Sequence, residues 1–189
     1  MHQTFYFVCA CFALTACQYD DSEVSSDTTG SNTTPEYSQS NVIDDLPPDP
    51  GLEGKLTLEG IDSDNDGVRD DIQRYIAQQE YPSQEFEKAV TAVARSMQYE
   101  IVNSFDRNKI VSQVKVQPTP VACLVFYDIG NRAFVDLQRL KAQVFNTEER
   151  IRAKLRSDSY LGGMTISLPS LEVRQKYCSE LTAESTFTY

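Results

Sequence analysis

At 189 residues, with 17 basic against 28 acidic side chains, the chain carries a formal net charge of −11 and lacks the basic surface that nucleic-acid binding needs. Its one histidine is His2. Ser-His-Asp catalysis, Cys-His catalysis and histidine-ligated metal centres are therefore closed to everything downstream. No Walker-type or GxGxxG phosphate cradle is present.

The chain opens on an apolar stretch, Phe5 to Leu14. It is too short to span a bilayer, which takes about 20 apolar residues, and has the length of a signal peptide's apolar region. It ends in Leu14-Thr15-Ala16-Cys17. This resembles the lipobox of bacterial lipoproteins: a leucine, two small residues and a cysteine. The resemblance implies that residues 1–16 are removed and that Cys17 carries a diacylglycerol on its sulfur and an acylated amine. Only His2 stands where such signals usually have Lys or Arg. The alternative is an uncleaved anchor or a buried N-terminal helix, but the Ser- and Asp-rich chain after Cys17 offers such a helix nothing to pack on. In enteric-type lipoproteins an aspartate after the cysteine favours the inner membrane. Gln18 stands there instead, so the resemblance implies the periplasmic face of the outer membrane.

Residues 17–50 form the next segment. Eight acids lie between residues 18 and 50, with no Lys or Arg, among many Ser, Thr, Asn and Pro. Such a composition buries too little to offset its ordering entropy and predicts a disordered tether, stiffened at Leu46 to Gly51 by its prolines. Most of the negative charge is thus a property of the tether. Residues 51–189 hold 20 acids and 17 bases.

The most informative stretch, within 61–73, is Asp62-Ser63-Asp64-Asn65-Asp66-Gly67-Val68-Arg69-Asp70-Asp71-Ile72-Gln73. Alternating carboxylates in a tight loop turn toward one centre, and glycine permits the sharp turn around it. The pattern resembles the calcium loops of EF-hands, dockerins and thrombospondin type-3 repeats. By position, Asp62, Asp64 and Asp66 would give side-chain oxygens, Val68 its carbonyl, and Asp70 an oxygen directly or through water. Gln73 stands where those loops close on Glu or Asp, so calcium binding should be weak, on the order of 10⁻⁴–10⁻³ M. The alternative is an Asp/Asn/Gly turn that caps the next helix.

After the loop, Val68, Ile72, Tyr75 and Ile76 make a helical stripe. Phe86, Val90, Val93, Met97 and Ile101 make another, predicting a helix over about 82–104 with Pro82 in its first turn. Lys109 to Gln117 alternates polar and apolar residues and predicts a short strand or extended connector. Ala133, Leu137, Leu140 and Val144 belong to a helix that starts near Val121 and bends at Gly130. Asn146 and Glu149 resemble a capping box for a helix carrying Ile151 and Leu155 and stopped by Gly162-Gly163. Its basic run Arg150, Arg152, Lys154, Arg156 reads as a solvated face. Ser170 caps a last helix with Val173, Tyr177 and Leu181 inward. The expected fold is mainly α, a small domain of about four to five helices with minor β at most. Tyr75, Tyr81, Tyr99, Tyr127, Tyr160 and Tyr177 either line a sugar-binding groove or pack between helices.

Of five cysteines, Cys9 and Cys11 leave with the signal and Cys17 is consumed by lipid. Export would then join Cys123 and Cys178 in a disulfide; two separate buried thiols are the alternative. The expected function is non-enzymatic. An envelope lipoprotein, fixed to its membrane by lipid and holding a structural calcium, would bind or brace an envelope protein or glycan. The alternatives are an inhibitor or immunity lipoprotein that neutralises a toxin or lytic enzyme, and a carboxylate-based hydrolase with two facing acids in a deep cleft.

Overall fold

The computed structural model describes residues 46–115, 119–167 and 169–183. The signal, Cys17 and the tether up to residue 45 lie outside the described residues. A 3-10 turn at Glu53–Lys55 precedes seven α-helices: α1 Asp70–Ala77, α2 Gln84–Val102, α3 Arg107–Lys115, α4 Pro120–Phe126, α5 Ala133–Val144, α6 Glu148–Leu161 and α7 Leu171–Ala183. No strand occurs among the described residues, so the fold is mainly α, with more helices than the four to five expected. The end of the segment assigned to the tether belongs to the fold, because Arg74 Nη1 donates to the Pro47 carbonyl at 2.9 Å.

Helix α2 is the axis, in contact with α1, α4, α5, α6 and α7. Its buried residues include Phe86, Val90, Val93, Met97 and Ile101, the predicted stripe, and also Ala89, Ala92 and Ala94. The alanines widen the apolar face without bulk, so helices can approach from several sides. Each large apolar side chain buried here contributes about 1.5–3 kcal/mol. The helix starts two residues later than expected. Ser83 Oγ accepts the Phe86 amide at 3.2 Å, which leaves Pro82 outside the helix.

The stretch after Lys109 is helical, not extended. Asp106 Oδ1 accepts the amides of Asn108 and Lys109 at 3.0 and 3.1 Å, as an N-cap does, and α3 follows with Ile110 as its buried residue. Alternation there comes from an exposed helix with a single anchor. The predicted bend at Gly130 is a full break between α4 and α5. Gly130 and Asn131 both take positive φ, at 86° and 61°, which no right-handed helix can pass through.

In α6 the cap is Thr147, whose Oγ1 accepts the Arg150 amide at 3.2 Å, so the Asn146–Glu149 box does not form. Ile151 and Leu155 are 48 % and 63 % exposed, while Arg150, Ala153 and Ser157 are buried. The basic run is consequently not a uniform solvated face. In α7, Leu181 is buried and Tyr177 packs partly against the core as expected, but Val173 points outward and Cys178 takes an inner place. Cys178 is bonded to Cys123, tying α7 to α4 with their Cα atoms 5.3 Å apart.

Candidate metal centre

The loop between Gly60 and α1 is closed at its neck. The Asp70 amide donates to the Ile61 carbonyl at 2.9 Å, and Asp70 Oδ1 accepts the Ser63 amide at 2.9 Å. Inside the loop the Asp62 carboxylate accepts the amides of Asp66 (3.2 Å) and Gly67 (3.0 Å), while Asp64 Oδ1 accepts that of Asp66 at 3.3 Å. Gly67 has φ +87°, which favours the predicted turn glycine, and a Cβ there would sit 3.1 Å from Arg95 Cγ and crowd that side chain.

Five acids lie between Asp62 and Asp71, and the fold divides them. Asp71 is taken by Arg69, whose Nε and Nη2 reach its two oxygens at 2.9 and 3.2 Å. Asp66 is taken by Arg95, with Nη2 at 3.1 Å from its carboxylate. Asp62, Asp64 and Asp70 remain, each with a carboxylate oxygen within 4.8 Å of the others. Among the described residues none of these three has a Lys or Arg partner.

Asp70 is 0 % exposed, and its Oδ2 has no hydrogen-bond partner. A buried carboxylate left in this state costs several kcal/mol. Burial, and then the charges of its neighbours, pushes the Asp62 carboxyl up. Burial acts the same way at Asp64, but bonds from Gln73 and Asp66 outweigh it and hold that carboxyl down. Three acids so placed could hold a metal ion. Of the predicted ligands, the loop therefore brings Asp62, Asp64 and Asp70 together and diverts Asp66 to α2. Gln73 reaches the cluster through its amide, with Nε2 3.0 Å from Asp64 Oδ2 and Oε1 buried without a partner. Val68 sits at the loop exit, its amide on Asp66 Oδ1 at 2.7 Å and its side chain in the core. The capping alternative is met in part: Asp70 and Asp71 stand in the first turn of α1, where acids favour the helix N-terminus, but the N-cap is Arg69 and it makes no side-chain cap bond.

Two buried arginines that sequence reasoning missed hold the chain entering the loop. Arg150 donates to the carbonyls of Gly54 (2.6 Å), Leu58 (3.1 Å) and Thr57 (3.2 Å) and to Asn146 Oδ1 (2.6 Å). Burial, and then the neighbouring charge of Arg69, pulls its pKa down to about 10. Arg69 spans from Asp71 to Gln98 Oε1 and the Val144 carbonyl, both at 3.2 Å. Gln98 in turn donates to the Glu59 carbonyl at 2.7 Å. The only sequence trace of this clamp is Gly60, where a Cβ would fall 2.3 Å from Arg69 Cδ and 2.7 Å from Arg150 Nη2.

A groove of about 420 Å³ opens beside the cluster. One wall is loop, from Glu59 to Gly67. The other is a single face of α2, with Arg95, Gln98, Tyr99 and Val102 at helical spacing and Asn103 following. Of the six tyrosines considered, Tyr99 lines it.

Comparison with protein-family models, with curated proteins and with solved structures found no match. No helix among the described residues is long and apolar enough to cross a membrane.

Proposed function

We propose that the chain is a lipid-anchored envelope protein whose helical domain is braced by calcium and works by binding, not by catalysis. The observation that carries the calcium reading is Asp70, a fully buried carboxylate with one unpartnered oxygen beside Asp62 and Asp64. The donors are all oxygens in an irregular loop, which suits calcium better than zinc or copper and better than magnesium, whose octahedron tolerates little distortion. A cation would reverse the role of Gln73, favouring its carbonyl oxygen over the nitrogen it now gives Asp64.

The ion's work would be structural. Arg95 fixes the loop to α2 and Arg150 fixes the preceding turn to α6, while the cation would join Asp62 and Asp64 to the first turn of α1. The lipid anchor rests on the likeness of Leu14-Thr15-Ala16-Cys17 to a lipobox. Exposed apolar side chains support binding over catalysis: Val121 and Val125 lie one turn apart on α4, and Ile129 and Phe134 follow. The groove's acids are mostly committed, Asp62 to the cluster and Asp66 to Arg95, which leaves Glu59 without a second free acid among the groove's residues.

Unfolding of the full chain, followed by circular dichroism in calcium and in EGTA, tests the bracing role. For affinities on the order of 10⁻⁴–10⁻³ M, about 5 mM calcium should add roughly 1–2 kcal/mol. Superimposable curves would contradict it. Labelled fatty acid should appear on the wild-type chain and be absent from Cys17→Ser; label on both, or on neither, would contradict the anchor.

A further inference from the structure

The groove beside the acidic cluster lies between the loop and one face of α2. We propose that it is a calcium-dependent site for a neutral sugar, whose hydroxyls complete the cation's coordination. This rests on the calcium reading above.

Calcium takes six to eight oxygens. The cluster supplies three carboxylates, and Asp66, the side chain a loop of this pattern would add, is held by Arg95 instead. The Gln73 amide oxygen, buried without a partner, and the Val68 carbonyl would bring the loop's own donors to five, so at least one oxygen would come from outside, and Asp62 belongs both to the cluster and to the groove wall.

Charge decides what kind of oxygen. Three carboxylates already exceed the two charges of the ion, Glu59 adds another on the rim, and Arg95 is neutralised by Asp66. A phosphate or carboxylate ligand would meet net negative charge, whereas a hydroxyl would not. The ligand is therefore a neutral oxygen donor.

The far wall decides between a sugar and a plain chelator. Tyr99 and Val102 lie three positions apart on α2 and give the groove an apolar strip, with Asn65 at the opposite edge. A pyranose presents such a pairing, an apolar face of C–H groups and a rim of hydroxyls, in one rigid unit. The volume, about 420 Å³, falls within the usual range for small-molecule sites of roughly 300–1,000 Å³.

The test is a glycan array of neutral and acidic oligosaccharides probed with labelled full-length protein in calcium and in EGTA, with calcium calorimetry run in parallel. Val102→Asp is the informative variant, because Val102 is 45 % exposed at the end of α2 and is not one of the cluster's acids. The expected result is binding to neutral glycans in calcium only, weakened about tenfold or more in Val102→Asp, which still gives calcium heat. A protein that binds calcium but no neutral glycan would overturn the sugar site and leave the calcium reading standing. So would glycan binding indifferent to EGTA or to Val102→Asp. Absence of calcium heat would overturn both.

Discussion

Arg95 grips Asp66 at two points: Nε donates to its backbone carbonyl at 2.6 Å, and Nη2 meets its carboxylate at 3.1 Å. The residues are 29 positions apart, and their pairing turns the third acid of the loop away from Asp62 and Asp64 and onto α2. The loop thus exchanges one candidate ligand for a strut.

Arg95→Ala should separate those two uses. Without calcium the variant loses the strut and adds an unpaired acid to the loop, for a loss of about 1–2 kcal/mol. With calcium, the released Asp66 can join the site, so affinity should rise severalfold. Denaturant unfolding in EGTA and a calcium titration of the same protein check both halves. Weaker calcium binding would show that the strut positions the ligands instead of competing for one.

The arginine clamp should be the most sensitive part of the fold outside the apolar core. Arg150→Ala abandons three backbone carbonyls and Asn146 in a buried site and should cost about 3–5 kcal/mol. Arg150→Lys should rescue little, because an ammonium cannot reproduce the planar fork that spans Gly54, Thr57 and Leu58. Gly60→Ala should be damaging as well, since φ is +75° and the new methyl meets both arginines. Urea unfolding of the three variants measures this; a loss under 1 kcal/mol in Arg150→Ala would remove the clamp from the account.

Glu100 gives a pH signature. Burial pushes its carboxyl up, more than Lys154 at 3.4 Å holds it down, whereas at Lys154 the attraction of Glu100 and Asp158 outweighs burial. Glu100 is the more buried partner, and Lys154 keeps Asp158 when Glu100 is neutral, so the penalty at Glu100 governs. An acid whose folded pKa is raised destabilises the fold above that pKa, and the penalty disappears as pH falls to the unfolded value near 4.5. Glu100→Gln should therefore raise the melting temperature at pH 7, with the gain shrinking toward pH 4. An equal or lower melting temperature at pH 7 would reverse the sign.

The Cys123–Cys178 bond closes a separation of 55 residues and should contribute about 4 kcal/mol on the chain-entropy model. Cys123→Ala/Cys178→Ala, compared with the oxidised parent in denaturant, measures it. Reduction that left thermal stability unchanged would argue against any such contribution.

How far the sequence could be read depended on which force set each feature. Regular apolar spacing marked the inner face of α2 and of α5, because burial alone decides those positions. The paired cysteines and the turn glycine of the loop were legible for the same reason: few residue types can do their work. Arg150 was not legible. It stands in a run of alternating bases that elsewhere faces water, and only carbonyls from residues nearly a hundred positions earlier draw it inside. The cap of α6 lies one residue later than the box, at Thr147, and its inner face is carried by Arg150, Ala153 and Ser157 instead of Ile151 and Leu155. Helix α3 was hidden because it buries only Ile110, too little for a period to show, although Asp106 marks its start. In the loop, the acid pattern located the site but could not say that Arg69 and Arg95 would each claim one carboxylate.

The most direct test of the central claim is a calorimetric calcium titration of the full chain beside Asp70→Asn and Asp64→Ala. The first variant removes the buried charge with little change of shape, and the second removes an exposed one. The account predicts one ion per chain with an affinity on the order of 10⁻⁴–10⁻³ M, and heat lost in both variants. No heat in the wild type, or the same heat in all three, would contradict it.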